Sequence, residues 1–160
     1  MIRFFSKIIV SLFVFTTLSF STTILSGGSI TDGLDLAKLR VGEHIGYTRM
    51  VFNINYGEGY GKEKANTPAD MTGNYLFKLA DNNISIEAIF SGFRSSSFIF
   101  NDKNSTRLKS INLLKGEAYD DDSSFSYHIE LHKKVEIKAF ILPKPSRIIL
   151  DIFDTPIRIL

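Results

Sequence analysis

The sequence predicts an all-β domain, a small sandwich of two antiparallel sheets with internally duplicated halves. The first observation is the alternation of apolar and polar residues with period two, which recurs in short segments after residue 36. The second is that these segments are rich in β-branched and aromatic residues, which suit a pleated, half-buried surface. The third is a similarity of pattern between residues 39–90 and 111–153. Duplicated halves of this kind build two facing sheets.

Six segments carry the alternation most clearly, and they predict strands at residues 48–56, 75–79, 84–90, 125–131, 135–141 and 148–152. Turns rich in Asp, Asn, Pro and Ser separate the second segment from the third and the fifth from the sixth. In the first segment both faces carry apolar side chains, so the pattern leaves open whether Val51 or Phe52 points inward. The other core positions that we expect are Phe77, Ile86, Ile129, Ile137 and Leu150.

Two further segments fit the alternation less well. Residues 105–114 place Leu108, Ile111 and Leu114 at helical spacing, but the same residues also alternate as in a strand, and the pattern does not decide between the two. Residues 57–73 contain four Gly, one Pro and several charges, which predicts a long loop. Loops of this length are usually functional or mobile.

The N-terminus has the architecture of a secretory signal peptide. Residues 1–7 are positively charged, residues 8–20 are apolar, and Ser19 and Ser21 are small residues at positions −3 and −1 of a cleavage site before Thr22. The apolar run is shorter than the roughly 20 residues of a spanning helix, which favours cleavage over an uncleaved anchor. We therefore predict no membrane span after cleavage, and the following division: signal peptide 1–21, linker 22–35, β domain 36–154 and tail 155–160.

The composition excludes several classes of function. The chain has no Cys, which rules out disulfides, thiolate zinc sites and cysteine nucleophiles. Its net charge of +2 comes from Arg3 and Lys7, so the chain after residue 21 has 19 − 2 = 17 Lys+Arg against 17 Asp+Glu. Because Lys and Arg do not cluster along the sequence, we expect no nucleic-acid partner. Phosphate-loop, dinucleotide and GxSxG motifs are absent, so we expect a non-catalytic protein without a cofactor.

Two motifs at the ends of the predicted β domain suggest a family. They are LRVGEHIGYTRMVFNI at 39–54 and AFILPKPSRIILDIF at 139–153. They resemble the opening and the closing hairpin of the AMIN domain, a small β-sandwich that precedes the catalytic domain of cell-wall amidases and occurs in type IV pilus secretins. The resemblance spans residues 36–154, with apparent insertions at 57–73 and 101–105. It implies non-catalytic binding to peptidoglycan and a periplasmic location in the cell envelope.

Two clusters contain residue types that bind metals. His128, Glu130 and His132 share one face of a predicted strand, but the two His would lie roughly 13 Å apart, too far to share an ion directly. Residues 120–122 are three consecutive Asp, without the spacing of a calcium loop. We interpret the first cluster as a solvated strand face and the second as a hairpin tip, and expect no metal site.

Binding is expected at the turn 42–47 and at the loop 57–73, because binding residues concentrate on loops held by a rigid scaffold. The residues that we single out are Tyr47, Arg49, Tyr60, Lys62 and Lys64. The Tyr side chains offer faces for sugar or peptide stacking, and the Lys side chains offer charge to stem-peptide carboxylates. For Arg49 the structural interpretation is favoured over ligand binding: if Asp151 points inward, an Arg is the expected partner, since an unpaired buried charge is costly.

Two functions follow from these observations. The first is an exported envelope module that binds peptidoglycan, through its glycan strands or its stem peptides. The alternative is a structural or assembly protein that docks on another envelope protein through a sheet edge. Co-sedimentation with purified cell-wall sacculi, run beside a protein pull-down, separates the two. The sequence carries no signal for an oligomeric state.

Overall fold

The computed structural model describes residues 22–59, 61, 63–96, 98, 100, 105–114 and 124–155. These residues form ten strands: β1 Thr23–Gly28, β2 Leu34–His44, β3 Tyr47–Tyr56, β4 Asn74–Leu79, β5 Ser85–Ser91, β6 Phe93–Ser96, β7 Leu108–Leu113, β8 Ser124–Leu131, β9 Val135–Leu142 and β10 Arg147–Asp154. Within the described part of the chain no helix is long and apolar enough to cross a membrane. The predicted signal peptide lies outside the described residues.

The strands form two sheets of five that pack face to face, so the predicted all-β sandwich is confirmed. The first sheet has the order β1-β4-β5-β8-β7 and the second has the order β6-β2-β3-β10-β9. All neighbours are antiparallel except β2 and β6, which run parallel. The six strands predicted from alternation correspond to β3, β4, β5, β8, β9 and β10.

The duplication of pattern corresponds to a duplication of topology. The first half contributes β2 and β3 to the second sheet, then β4 and β5 to the first. The second half contributes β7 and β8 to the first sheet, then β9 and β10 to the second. Each sheet therefore contains one hairpin from each half, and the halves meet at the pairs β3–β10 and β5–β8. Only β1 and β6 lie outside this exchange.

The core lies between the sheets and is centred on aromatic rings. Phe52 of β3 lies 4.9 Å from Phe90 and 6.1 Å from Phe77, measured between ring centroids. Phe52 is therefore the inward residue of β3, and Val51 lies on the opposite face. The other expected core residues are also buried, namely Phe77, Ile86, Ile129 and Leu150. Ile137 is only partly buried, because β9 is an edge strand that the facing sheet covers incompletely.

The predicted linker at residues 22–35 is wrong, because strand β1 lies inside it. The two Gly and two hydroxyl residues of β1 weaken the alternation that would predict a strand. It pairs with β4 along its whole length, and Leu25 packs against the core.

Residues 105–114, for which the sequence does not decide between helix and strand, contain the strand β7. Leu108 is fully buried and Ile111 packs against the core from the same strand face.

The long loop after β3 is anchored in its second part. The backbone N–H of Ala69 donates to the carbonyl of Ile54 at 3.0 Å, and its side chain is fully buried. The hydroxyl of Tyr56 donates to the carboxylate of Asp70. Ser146, in the β9–β10 turn, donates its N–H to the carbonyl of Ala69 at 2.7 Å. Residues 66–70 of the predicted long loop are therefore anchored to the packed domain.

A charged network joins the two sheets at one end of the sandwich. Arg107, just before β7, is only 5% exposed in its side chain. Its Nε and Nη2 donate to the two oxygens of Asp154 at 3.0 and 2.7 Å, and its Nη1 donates to Glu43 Oε2 at 3.0 Å. Glu43 also accepts from Thr48, and from the hydroxyl and backbone N–H of Thr106. Strands β2, β3 and β10 are thus tied to the first sheet.

Both carboxyl groups of this network favour their charged forms. Burial opposes ionisation of Glu43, but the hydrogen bonds from Ser105, Thr48 and Thr106 outweigh it, and the pKa of Glu43 is lowered. Hydrogen bonds from Arg107 and Lys133 lower the pKa of Asp154. The network therefore stabilises the fold most when both carboxyl groups are ionised.

Candidate functional site

The outer face of the second sheet brings together two of the predicted binding residues, Tyr47 and Arg49. Both point away from the core, because the alternate residues of β3 are fully or nearly fully buried. Strand register places four rows of side chains across this face. They are His44–Tyr47–Phe153–Glu136, Gly42–Arg49–Asp151–Lys138, Arg40–Val51–Ile149–Phe140 and Lys38–Asn53–Arg147–Leu142. We call these four rows the binding face.

Arg49 and Asp151 form a two-pronged ion pair at the centre of the binding face. Nε of Arg49 donates to Oδ1 of Asp151 and Nη2 donates to Oδ2, both at 2.7 Å. The Asp151 side chain is 5% exposed and the Arg49 side chain is 35% exposed, so the guanidinium covers the carboxylate. These hydrogen bonds raise the pKa of Arg49. Asp151 lies on the outer face of the sheet, so the condition that it points inward is not met. Its carboxylate is nevertheless buried and paired with Arg49, and this pair joins the two halves of the domain.

Aromatic rings surround this ion pair. The guanidinium carbon of Arg49 lies 5.4 Å from the ring centroid of Tyr47 and 5.5 Å from that of Phe140, within cation–π range. Tyr47 stacks on His44 with centroids 4.5 Å apart and contacts Phe153 at 5.4 Å. We call His44, Tyr47, Arg49 and Phe140 the planar stack. It crosses the sheet from β2 to β9.

The surface beside the planar stack is open at Gly42. This residue is the cross-strand partner of Arg49 on β2. A methyl group built at Gly42 would meet only one atom within 4 Å, the Nε2 of His44 at 3.5 Å. A ligand can therefore approach the Arg49 guanidinium from the β2 side without displacing a side chain.

The binding face also carries an excess of positive charge. Its four rows contain five cations, Lys38, Arg40, Arg49, Lys138 and Arg147, against the two acids Asp151 and Glu136. The excess is three positive charges, although the chain after residue 21 is neutral. The fold therefore collects cations that lie far apart in the sequence.

The other predicted binding residues do not join this face. Lys64 is exposed on the loop that leaves the end of β3 opposite to Tyr47, and the ten residues of β3 separate these ends by roughly 30 Å. Tyr60 and Lys62 lie outside the described residues. The two predicted binding regions, the turn 42–47 and the loop 57–73, are thus at opposite ends of one strand.

The potential metal ligands are placed on the outer face of the first sheet. Glu130 is engaged by Lys109 at 3.0 Å, and the hydrogen bond from Lys109 lowers the pKa of Glu130. His128 lies beside Glu87 across the β5–β8 pair. Among the described residues, no group of three His, Asp or Glu side chains is arranged to hold a metal ion. Residues 120–122 lie outside the described part of the chain.

A groove of about 480 Å³ lies on the same outer face of the first sheet. Leu76 and Ile89 form its apolar part, and Ser26, Asn74 and Ser91 are among its polar residues. It has no charged residue in its lining and no titratable group other than Tyr75. The binding face is flatter, but it combines charge, aromatic rings and fixed hydrogen-bond donors. For this reason we take the binding face, and not the groove, as the candidate site.

The sequence singles out Tyr47 and Arg49 at the centre of the candidate site, but not the cations around them. The spacing of Tyr47 and Arg49 places both on one face of a predicted strand, whereas Lys38 and Arg40 lie on β2, which is not among the six strands predicted from alternation. The sequence alone does not reveal the strand order, which places β2 beside β3 and β9 beside β10.

No family model matches the chain, and no significantly similar curated protein or solved structure was found.

Proposed function

We propose that this protein is an exported, non-catalytic module of the cell envelope that binds peptidoglycan through the binding face of its second sheet. The observation that carries the proposal is the planar stack built around the Arg49–Asp151 pair. Peptide groups and sugars can pack against the outer edges of such a stack, because aromatic side chains bury a large area at low entropic cost and the polar groups beside them fix the orientation.

The geometry of Arg49 suits a binding role. Asp151 occupies Nε and one hydrogen of Nη2, so the guanidinium is held in one orientation. Nη1 has no hydrogen-bond partner among the described residues, and the side chain is one-third exposed. Its N–H groups are therefore preorganised donors for a carbonyl, hydroxyl or carboxylate of a ligand, and little entropy is lost when they bind.

The same geometry favours binding over catalysis. Both oxygens of Asp151 accept hydrogen bonds from Arg49, so this carboxylate is not poised as a general base. His44 is stacked on Tyr47 at the turn between β2 and β3, and no hydrogen bond from it to an acid or hydroxyl is present among the described residues. A nucleophile activated by a neighbouring base is therefore missing from the binding face as described.

Export and the envelope location are proposed from the N-terminal sequence and from the resemblance to the AMIN domain. A two-sheet sandwich with one hairpin of each half in each sheet is compatible with that resemblance. The N-terminus of the protein isolated from the envelope should lie near Thr22 by mass spectrometry. Recovery of an intact Met1 in the membrane fraction would contradict cleavage.

Co-sedimentation with purified sacculi tests the binding function. The His44→Ala/Tyr47→Ala variant removes two members of the planar stack and should sediment clearly less than the wild type. The matched control is Ile84→Ala/His132→Ala, which also removes one His and one large side chain. Ile84 lies in the turn between β4 and β5 and is 42% exposed, and His132 lies beyond the end of β8, so neither belongs to the binding face. Equal sedimentation of the two variants, with unchanged melting temperatures, would place binding elsewhere.

A second function, docking on another envelope protein, is favoured by one observation. Within the described part of the chain β7 pairs only with β8, so its other edge is free to accept a strand. Leu113 near the end of this strand is 47% exposed. Capture of a specific envelope protein, lost in a Ser110→Pro variant and accompanied by no binding to sacculi, would support this function instead.

A further inference from the structure

We propose that the binding face recognises the carboxylates of an extended acidic peptide, which in peptidoglycan is the stem peptide. This inference rests on the proposed function for the identity of the polymer, but its chemistry comes from the cations of the binding face. We call Lys38, Arg40, Lys138 and Arg147 the basic rim. The central Arg49 is not part of the rim, because Asp151 neutralises it.

Within the described part of the chain, no residue of the basic rim forms an ion pair with a carboxylate. Arg40 donates to the amide oxygen of Asn53 at 3.3 Å, and Arg147 donates to the carbonyl of Pro145 at 3.2 Å. Neither acceptor carries a charge. Lys38 and Lys138 are exposed and take part in none of the ion pairs observed.

Four cations off the binding face form ion pairs with a carboxylate at 2.6 to 3.0 Å, namely Arg94, Arg107, Lys109 and Lys133. Four others form none among the described residues, but they are spread over the 57–73 loop, β4 and the turns on either side of β9, namely Lys64, Lys78, Lys134 and Lys144. The four rim cations instead share one face of a single sheet with the planar stack. Their mutual repulsion is relieved when an anionic ligand binds, which gives the face complementarity to negative charge.

The rim frames an apolar strip of suitable width for an extended chain. Lys38 and Arg40 are two residues apart on β2, about 7 Å, and β9 lies three strands away, about 14 Å. Val51 on β3 and Ile149 on β10 lie between these strands, and Phe140 and Leu142 continue the apolar surface on β9 itself. Ile149 is buried and the other three are half-buried. A peptide of small aliphatic residues fits this strip, with its carboxylates reaching the rim on either side.

Nucleic acid is the other polyanion with spaced charges, and the face suits it less well. Binding of single strands depends on exposed aromatic faces on which bases stack. Here Tyr47 is covered by His44 on β2 and by the guanidinium of Arg49, and Phe140 also contacts that guanidinium. The apolar strip between the cations consists of aliphatic side chains and one ring that is already engaged.

The test compares native sacculi with sacculi whose carboxylates have been converted to amides by carbodiimide and ammonia. The wild-type protein should bind native sacculi, lose most of this binding on amidated sacculi, and weaken as salt is raised. A synthetic oligo-glutamate peptide, titrated by calorimetry, probes the same chemistry in the absence of the wall. A single-stranded oligonucleotide of equal charge is titrated beside it.

The variant Lys38→Gln/Arg40→Gln/Lys138→Gln removes three rim charges. Exposed ion pairs are individually weak, so its affinity should fall roughly threefold to hundredfold. The matched control, Lys78→Gln/Lys109→Gln/Lys134→Gln, removes three exposed charges that lie off the binding face and should bind like the wild type. Far-ultraviolet circular dichroism and melting temperature verify that both variants fold.

The outcomes separate this inference from the proposed function. Equal binding to native and amidated sacculi would overturn the carboxylate inference and leave peptidoglycan binding intact. Binding to oligo-glutamate but to neither form of sacculi would support the inference and contradict the wall as ligand. Equal losses in the rim variant and its control would refute the rim as the site. Tighter binding to the oligonucleotide than to oligo-glutamate would assign the face to nucleic acid.

Discussion

Replacement of Arg107 by Met should destabilise the domain strongly, because this guanidinium joins the two sheets from a buried position. Its side chain is 5% exposed and donates hydrogen bonds to Asp154, Glu43, Thr48 and Thr106. Met keeps most of the volume of the side chain and none of its donors. The loss therefore reports the ion pairs and hydrogen bonds and little of the packing.

The expected magnitude follows from the burial of the partners. Removing one member of a buried ion pair costs about 3–5 kcal/mol, because the other charge is left uncompensated. Here the Glu43 and Asp154 side chains remain 32% and 44% exposed, so water can partly replace the guanidinium. Glu43 also keeps its bonds from Ser105 and Thr106, and Asp154 keeps Lys133. We therefore expect about 3 kcal/mol, the lower end of the range.

Urea unfolding at neutral pH measures this loss, with far-ultraviolet circular dichroism and tyrosine emission as probes. Arg94→Met is the matched control, since Arg94 pairs with Asp32 at 2.6 Å but both side chains are more than half exposed. That variant should unfold at the same urea concentration as the wild type, as exposed ion pairs contribute little. A loss below about 1 kcal/mol for Arg107→Met, the level of a surface pair, would refute the reasoning.

Two further predictions concern the core and the response to acid. Leu150→Ala, at a fully buried site, should cost about 2–5 kcal/mol in urea unfolding, and Ile137→Ala, on the half-covered edge strand, should cost clearly less; equal losses would contradict the edge assignment. The lowered pKa values of Glu43 and Asp154 contribute stability that is present at neutral pH. This contribution to stability is lost as the pH falls below the ordinary pKa values of 4.5 for Glu43 and 3.8 for Asp154, toward the lowered values. The melting temperature should therefore drop over that pH range, and it should drop less in Arg107→Met. An acid response in the variant equal to that of the wild type would argue against the network.

The fold was predictable because its signal is local. Most strands show alternation with period two in their own sequence. This alternation alone predicts which residues of a strand such as β3 form its buried face. Strand β1 was not predicted, because an edge strand rich in Thr, Ser and Gly has few apolar residues that could alternate with polar ones. Strand β7 was ambiguous because Leu108 and Ile111 are three residues apart, a helical spacing that a regular strand would place on opposite faces. An irregularity between Leu108 and Ser110 brings both side chains to the same face of β7.

The site was only half predictable because it depends on strand order. Tyr47 and Arg49 belong to one strand, so their common face is a property of the local sequence. The basic rim combines residues of β2, β9 and β10. No local sequence pattern indicates that these strands join β3 in one sheet. A chain without clusters of Lys or Arg can therefore present a positive face, and sequence clustering is a poor guide to charge in β-sandwiches.

Variants of the central ion pair can separate a structural role of Arg49, which the sequence favours, from the binding role that we propose for it. Arg49→Met alone leaves the buried Asp151 carboxylate uncompensated and should lower stability measurably in urea. Adding Asp151→Leu removes that charge, and because an apolar pair can replace a buried ion pair at little cost, the double variant should recover much of the loss.

Binding to sacculi, unlike stability, should not recover in the Arg49→Met/Asp151→Leu double variant. The double variant lacks the preorganised guanidinium donors and the cation of the planar stack, so its binding should stay low although its stability returns. Recovery of both properties would mean that Arg49 serves only the fold, and that the basic rim and the remaining rings suffice for the ligand. Recovery of neither would mean that the ion pair fixes the register of β3 against β10, where the two halves of the domain meet.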